Sequence, residues 1–269
     1  MLEEGRDGYM TKWQTVALGA VAGLTIYLGL PVARLRQRSP GPQSLLNALA
    51  LGVLLFLIWD ILSKALEPIG AAMKDGMKAG HWGPFGLLAA MLVIGLVVGL
   101  VGLVMFDAGA VRRSQAARTP AQLALMIATG LGLHNFSEGL AIGQGAAVGA
   151  IGFAVILVVG FGLHNITEGF AVAAPLAAAG ETPTWPFLGV AGLIAGGPTF
   201  LGTLVGYRVT ALPAFVLFLA LAAGALFYIV GEMFVVGRRF RAPIWGAWGI
   251  AAGFLIAYGT DLILTAGGV

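Results

Sequence analysis

Long apolar runs alternate with short polar breaks along the entire chain. A helix that crosses a membrane needs about 20 mainly apolar residues, and eight segments meet this requirement. Prolines lie in or beside the breaks, where helices usually begin or end, and no break is long enough to hold a separate folded domain. The pattern predicts an all-α, polytopic membrane protein with eight transmembrane helices, in which residues 1–269 form a single transmembrane domain. The predicted spans cover residues 14–33, 45–66, 84–106, 121–143, 148–174, 186–207, 211–236 and 244–265.

The composition agrees with this pattern and excludes a soluble globular protein. Hydrophobic residues make up 59% of the chain and charged residues only 10%, whereas soluble domains carry about 25% charged residues. The net charge of +3 is too small to indicate a nucleic-acid partner, and we expect the lipid bilayer to surround the chain. The chain contains no cysteine, so it can form neither disulfides nor a thiolate metal site.

Basic residues predict the orientation of the spans. Arginines are concentrated in the breaks after the first, third and seventh spans, and arginine-rich loops stay on the cytoplasmic side of a membrane. Eight spans then place both termini outside. We expect a multi-pass protein of the plasma membrane, which is the inner membrane in a cell that has two membranes. The arginines on which this prediction depends are Arg34, Arg36, Arg38, Arg112, Arg113, Arg118, Arg238, Arg239 and Arg241.

Two polar motifs of the same form, HNFSEG and HNITEG, lie inside the fourth and fifth spans. The histidine, asparagine and glutamate of each copy fall within about a 100° arc of the helix surface and form one polar stripe. Because the two spans are antiparallel and joined by a short break, both stripes reach the middle of the bilayer. The motif residues are His134, Asn135, Glu138, His164, Asn165 and Glu168.

The motifs predict a divalent-metal site. Ionisable residues inside a membrane are costly and usually mark an ion pathway. Two converging carboxylates cannot both be ionised without a counter-charge; a divalent cation supplies that charge, and His, Asn and Glu are suitable ligands for it. The structural alternative is that these polar groups join helices by hydrogen bonds. It explains a single Asn or His more readily than two matched copies.

Two further acidic residues extend the predicted metal path. Asp60 lies in the second span about two turns from its outer end, and Glu232 lies in the seventh span about one turn inside the cytoplasmic arginines. Together with the central motifs they are staggered along the membrane normal, as the acids of a transport path would be. Glu232 has an equally good alternative role as the partner of Arg238 near the interface.

The motifs resemble the signature helices of the ZIP (Zrt/Irt-like protein) metal transporters. HNFSEGLAIG and HNITEGFAVAAPL are similar to the fourth and fifth helices of that family, although Ser137 and Thr167 stand where the family usually has proline. LNALALGVLLFLIWDILSKALE and AAGALFYIVGEMF resemble its second and seventh helices, so the likeness covers nearly the whole chain. The resemblance implies a metal path between the second, fourth, fifth and seventh spans.

The resemblance also implies particular ligands. The family's first metal site is matched by His134, Glu138, His164 and Glu168. Its second site is matched by the two motif asparagines together with the same glutamates. Gly197 stands where the family commonly has a glutamate before a proline. Without that carboxylate, two closely spaced dications repel each other strongly, so one bound ion is expected.

The expected function is transport of a divalent transition-metal cation, such as Zn²⁺, Fe²⁺, Mn²⁺, Co²⁺ or Cd²⁺, into the cytoplasm. The metal is then a transported substrate, and we expect neither a cofactor nor enzymatic activity. Imidazole and carboxylate ligands suit all of these ions, so the choice of metal stays open. The sequence also leaves open carrier or channel, the coupling ion and the oligomeric state, a homodimer included. The alternative is an intramembrane metal-dependent enzyme that activates water with the same ligands, although the sequence has no HExxH motif.

Overall fold

The computed structural model describes residues 11–34, 39–114, 119–147, 151–209 and 211–266, and within these ranges the chain is helical and has no strand. The predicted all-α class is confirmed. Arg36, Arg38 and Arg118 lie outside the described residues, as do the side chains of Arg112 and Arg113. The helices are α1 (Lys12–Arg34), α2 (Pro40–Ala79), α3 (Gly83–Ser114), α4 (Pro120–Ala147), α5 (Ile151–Ala179), α6 (Trp185–Gly206), α7 (Leu212–Arg239) and α8 (Pro243–Ala266).

Five of these helices, α1, α2, α3, α6 and α7, are long and apolar enough to cross a membrane. In the most apolar stretch of α3, only 22% of the residues are buried inside the protein. A contiguous apolar surface of that extent is unfavourable in water and is suited to contact with lipid. The chain is therefore a membrane-embedded helical protein.

The second helix is much longer than the span predicted at residues 45–66. It continues through Pro68 and ends at Ala79, so the break predicted after residue 66 is wrong. The residues after Pro68 are rich in alanine, methionine and lysine, which favour helix. Gly80 ends the helix because its left-handed backbone (φ 76°) lets its N–H bond the carbonyl of Gly76 at 2.9 Å. With 40 residues, α2 is about 60 Å long, twice the thickness of the hydrocarbon core.

The first helix is interrupted near its middle. An α-helix covers Lys12–Leu24, a second covers Ile26–Gly29, and a 3-10 helix covers Leu30–Arg34. At the interruption, the hydroxyl of Thr25 donates a hydrogen bond to the carbonyl of Ala22 at 2.6 Å. The change of helical geometry leaves backbone carbonyls there available to side chains of a neighbouring helix.

Glycines bring the helices into backbone contact in two separate groups. In the first, formed by α1, α4, α5 and α6, a Cβ atom at Gly23, Gly139 or Gly202 would overlap with a backbone carbonyl of a neighbouring helix. In the second, α2 packs against α8 at Gly52 and α3 packs against α7 at Gly99 in the same way. Small residues allow this close approach in membrane proteins. We call the first group the motif bundle, since it contains both polar motifs, and the second group the flanking bundle.

The two bundles meet through side chains. The rings of Phe136 in α4 and Phe218 in α7 have centroids 5.2 Å apart. Farther along the same helix pair, the side chain of Ile229 lies where a Cβ atom of Gly130 would point. Helices α2 and α5 also contact each other across this boundary. The motif bundle is therefore held to the flanking bundle by packed side chains and by a hydrogen bond from Nε2 of Gln43 in α2 to the carbonyl of Ala177 in α5, at 3.0 Å.

Contacts between helix ends show which ends lie on the same side of the protein. The guanidinium of Arg34 at the end of α1 donates to the carbonyl of Pro183, just before α6, and lies 4.8 Å from the ring centroid of Trp185. At the opposite end of α6, the carbonyl of Val209 accepts a hydrogen bond of 2.9 Å from Gln144 near the end of α4. These contacts agree with helices that alternate in direction.

Candidate metal centre

Both polar motifs lie on buried faces of two helices that pack against each other. α4 carries the first motif and α5 carries the second. Glu138 is 4% exposed, Glu168 is 1% exposed, and both motif asparagines are fully buried. Burying a carboxylate is costly unless charges or hydrogen bonds compensate it. The immediate partners of these two carboxylates therefore decide what the site can do.

Three ionisable side chains converge between α4 and α5. Nε2 of His134 lies 3.3 Å from Oε1 of Glu138 and 3.5 Å from Oε1 of Glu168. Both carboxylates thus face one imidazole nitrogen, so the structure brings together the two glutamates that the motif pattern predicts to converge. We call these three residues the His–Glu–Glu cluster.

The cluster contains several buried polar atoms without a hydrogen-bond partner. Among the described residues, they include both ring nitrogens of His134, both carboxylate oxygens of Glu138 and Oε1 of Glu168. Proteins rarely leave buried polar groups unsatisfied, and a bound ion is one way to satisfy them. Imidazole nitrogen and carboxylate oxygen are both ligands of divalent transition metals. The cluster therefore fits the chemistry of a divalent cation.

The spacing within the cluster is close to that of metal ligands. In a tetrahedral zinc site the ligand atoms lie about 2.0–2.2 Å from the ion, which places neighbouring ligand atoms about 3.4 Å apart. The two distances from His134 to the glutamates, 3.3 Å and 3.5 Å, agree with this value. However, no three His, Asp or Glu side chains within the described ranges form a complete metal site. The spacing of the three side chains is thus metal-like, but as placed here they do not enclose a position for an ion.

The two motif asparagines bind neighbouring helices. Nδ2 of Asn135 donates to Oε2 of Glu168 at 2.9 Å and to the carbonyl of Ala195 in α6 at 3.0 Å. Nδ2 of Asn165 donates to the carbonyl of Ala22 at the interruption of α1, at 2.9 Å. The amide nitrogens thus hold α4 to α6 and α5 to α1. The amide oxygens, which are buried and unpartnered, are the atoms left for a second ion.

His164 borders the same open space as His134 and Glu138 but does not take part in the ion pairs of the cluster, although the resemblance groups it with the first metal site. Its Nε2 is 3.1 Å from the hydroxyl oxygen of Thr260 in α8. That hydroxyl donates to the carbonyl of Ala257 at 2.7 Å, so its oxygen can accept the N–H of His164. The structure thus brings together three of the four implied ligands and directs the fourth toward α8.

A cavity of about 290 Å³ extends from the His–Glu–Glu cluster toward one end of the helices. Its walls include Glu138 at the buried end, and Asp60 and Asp261 farther out. Lys64 also lines it; its side chain is 48% exposed and pairs with Asp60 at 2.8 Å. The cavity therefore leads from a half-exposed, charged mouth to the buried carboxylate of Glu138, and Asp60 lines it.

The sequence did not indicate every residue of this site. Asp261 lies near the end of an apolar run, where an acid is usually interfacial, and Thr260 carries no signal in the sequence.

Glu232 is half-buried in α7 and does not line the cavity. A Cβ atom on Gly197 would have Leu193 as its nearest described neighbour, at 3.3 Å. Gly197 lines an apolar groove between α1 and α6. A side chain at this position would point into that groove and would not contact the His–Glu–Glu cluster.

The different positions of the two histidines predict unequal roles. If the cluster holds a dication, His134→Ala is expected to weaken its binding by more than about 100-fold, because the substitution removes the nitrogen that both glutamates face. His164→Ala is expected to weaken it by only about tenfold, the size of effect typical of residues that surround direct ligands. Equilibrium titration of the two purified variants with Cd²⁺ or Zn²⁺ measures the difference. Equal losses would show that both histidines contact the ion.

Comparison with models of known protein families and with curated protein sequences finds no match to this chain.

Proposed function

We propose that this chain is a ZIP-type transporter that moves a divalent transition-metal cation, such as Zn²⁺, Fe²⁺, Mn²⁺, Co²⁺ or Cd²⁺, into the cytoplasm. The observation that carries this proposal is the His–Glu–Glu cluster, whose unpartnered ligand atoms lie at the buried end of a cavity with a half-exposed mouth. A site built only for structure needs no such access. A site for a transported ion needs access from one side at a time.

A bound dication accounts for the burial of Glu138 and Glu168. Two carboxylates in a low-dielectric interior repel each other, and each also loses its hydration. One dication neutralises both charges, while a neutral His134 adds a ligand without adding charge. The resulting complex has no net charge, which reduces the large cost of placing a bare ion inside a membrane.

The proposed topology has one membrane span for each of the eight helices and both termini outside. The contact of Arg34 with Pro183 and the contact of Gln144 with Val209 lie at opposite ends of α6, which supports helices that alternate in direction. The arginine-rich ends then face the cytoplasm. The cavity mouth at Lys64 faces outside, where an imported ion would be bound.

Transport also requires that the site open to the other side, and the glycine contacts indicate which parts can move. Backbone contacts, such as that between Gly23 and Gly196, bind the motif bundle into one unit. Its boundary with the flanking bundle consists of side chains, including Phe136 and Phe218. Packed side chains can slide past one another in small steps. We therefore expect the motif bundle to move against the flanking bundle.

The enzyme alternative has less support. A hydrolytic enzyme would need a nucleophile or a free acid beside the metal. The hydroxyls within the motifs, on Ser137 and Thr167, each donate to a carbonyl of their own helix at 2.6 Å, which is the usual behaviour of hydroxyl side chains inside helices. The carboxylate of Asp60 is paired with Lys64. These engaged groups favour passage of an ion over reaction at it, and the remaining acid of the cavity wall, Asp261, lies farther out, near the end of α8.

One metal ion per chain is the expected stoichiometry. Two dications would face only the charges of Glu138 and Glu168, and their mutual repulsion is severe in a low-dielectric site. The contacts of Asn135 and Asn165 with backbone carbonyls also restrain the amides that a second ion would need. Calorimetric titration of the purified protein with Zn²⁺ or Cd²⁺ should give a single tight site. Two sites of similar affinity would contradict this charge argument.

Uptake into proteoliposomes tests the proposed function directly. The purified protein is reconstituted and offered Zn²⁺, Fe²⁺, Mn²⁺, Co²⁺ and Cd²⁺ separately, with Mg²⁺ and Ca²⁺ as controls. We expect protein-dependent uptake of at least one transition metal and none of Mg²⁺ or Ca²⁺, because imidazole ligands disfavour these two ions. Failure of every transition metal to enter vesicles that contain folded protein would overturn the proposal.

A further inference from the structure

A second cavity, of about 300 Å³, lies between α2, α7 and α8 at the end of the flanking bundle that carries Arg238. Among the described residues, it shares no lining residue with the cavity of the metal centre. Its volume is at the lower end of the range for small-ligand sites. The lining residues that matter here are Asn47, Phe234, Arg238, Arg241 and Ile250.

The rim of this cavity is basic. Arg238 lies in the last turn of α7, and Arg241 lies in the connection to α8. Both are exposed, and none of the described residues that line the cavity is acidic. Arg241 has a φ of 51°, a left-handed conformation that is unfavourable for residues other than glycine and persists where the surroundings or a function impose it. The charge of the rim therefore suits an anion.

The inner wall of the cavity offers a buried hydrogen-bond acceptor. Asn47 is 2% exposed, and its Nδ2 donates to the carbonyl of Met233 at 3.3 Å. Its Oδ1 is buried and has no hydrogen-bond partner. A buried acceptor of this kind is costly unless a donor reaches it. The ligand should therefore carry a hydroxyl or another donor in addition to its negative charge.

We infer that this cavity binds the headgroup of an anionic phospholipid that carries hydroxyl groups, for which phosphatidylglycerol is the simplest example. The phosphate pairs with Arg238 and Arg241, and a headgroup hydroxyl donates to Oδ1 of Asn47. An acyl chain lies along Phe234 and Ile250, which are partly exposed. Basic pockets at the cytoplasmic ends of membrane helices suit such headgroups. The joint presence of a basic rim and an apolar wall favours a lipid over a soluble phosphate.

Lipid binding to the purified full-length protein in detergent tests this inference, with native mass spectrometry as the measurement. Phosphatidylglycerol is compared with phosphatidylcholine of the same acyl chains and with soluble glycerol 3-phosphate. Wild-type protein should bind phosphatidylglycerol most tightly. The double variant Arg238→Gln/Arg241→Gln should lose about 30-fold in affinity for it, as expected for two arginines near an anionic lipid. Arg208→Gln, which neutralises an exposed arginine elsewhere, is the matched control and should bind normally.

Three results would overturn the inference. Equal binding of phosphatidylglycerol and phosphatidylcholine would show that the arginines recognise no charge. An equal loss in Arg208→Gln would show that general electrostatic attraction accounts for the binding. Competition by glycerol 3-phosphate as strong as that by the lipid would make the cavity a soluble-phosphate site. The role of Asn47 is tested by Asn47→Ala, which should lower the affinity for phosphatidylglycerol about fivefold and leave the weaker binding of phosphatidylcholine unchanged. The melting temperature should fall slightly, because the substitution also removes the hydrogen bond to Met233. Normal affinity for phosphatidylglycerol would refute the hydroxyl contact.

Discussion

Glu138→Gln is expected to abolish metal uptake, with an initial rate at least about 100-fold below that of the wild type. The substitution keeps the size of the side chain but removes one of the two carboxylate charges that face His134. A buried dication then lacks part of its neutralising charge, and breaking a buried ion pair in this way costs about 3 kcal/mol or more, equivalent to at least about 100-fold. Initial rates of Zn²⁺ or Cd²⁺ uptake into proteoliposomes measure the effect.

Glu67→Gln is the matched control for this prediction. It makes the same chemical change in α2, at an exposed position that does not line the cavity of the metal centre. Its uptake rate should stay within about twofold of the wild type, since exposed charges contribute little. Near-normal uptake by a folded Glu138→Gln variant would remove the central carboxylate from the transport mechanism. A similar loss in both variants would show that the rate follows overall charge and not this site.

Gly202→Ala is expected to destabilise the whole motif bundle. A Cβ atom at this position in α6 would overlap with the backbone carbonyl of Phe136 in α4, and a backbone atom cannot rotate away as a flexible side chain can. Overpacking of this kind costs about 1–3 kcal/mol or more. The melting temperature of the purified protein in detergent, followed by differential scanning fluorimetry, should fall by roughly 5–10 °C.

Gly102→Ala provides the comparison, because it makes the same change in a membrane helix where space is open. Apart from the nearby backbone of α3 itself, no described atom lies within 4 Å of a Cβ atom at this position. The variant should melt at the wild-type temperature or slightly higher, since alanine favours helix over glycine. If Gly202→Ala melted at the same temperature as Gly102→Ala, the close contact between α4 and α6 would be refuted.

The course of the helices was largely predictable from the sequence, because an apolar run bounded by proline or arginine leaves few alternatives in a membrane. The sixth span, predicted at residues 186–207, is the helix Trp185–Gly206. The second span shows where this reasoning ends. Residues of α2 beyond the lipid do not need to be apolar. Lys74 and Lys78 therefore ended the apolar run and indicated a loop, whereas the helix continues to Ala79.

The candidate site was predictable only in part. Glu138 and Glu168 both face Nε2 of His134, and the matched spacing of the two motifs predicted that these carboxylates would converge. The position of His164 depends on Thr260, a residue type that is common in any helix. The contacts of the asparagines depend on backbone carbonyls, which every residue possesses and which therefore leave no mark in a sequence. The carbonyl of Ala22 is available to Asn165 because α1 is interrupted there, and this interruption appears only in the folded structure.

The length of α2 also provides a way to read the orientation of the chain in a living cell. If the lipid-embedded part ends near Lys64, the residues from 65 to 79 rise about 22 Å farther along the helix axis, beyond the headgroup layer. At the tip, Gly80 and Gly83 have no described atom within 4 Å of their Cβ directions, so a peptide epitope inserted there would stand clear of both protein and lipid. An antibody that stains intact cells through this epitope would place the tip, and with it the mouth of the metal cavity, on the outer face.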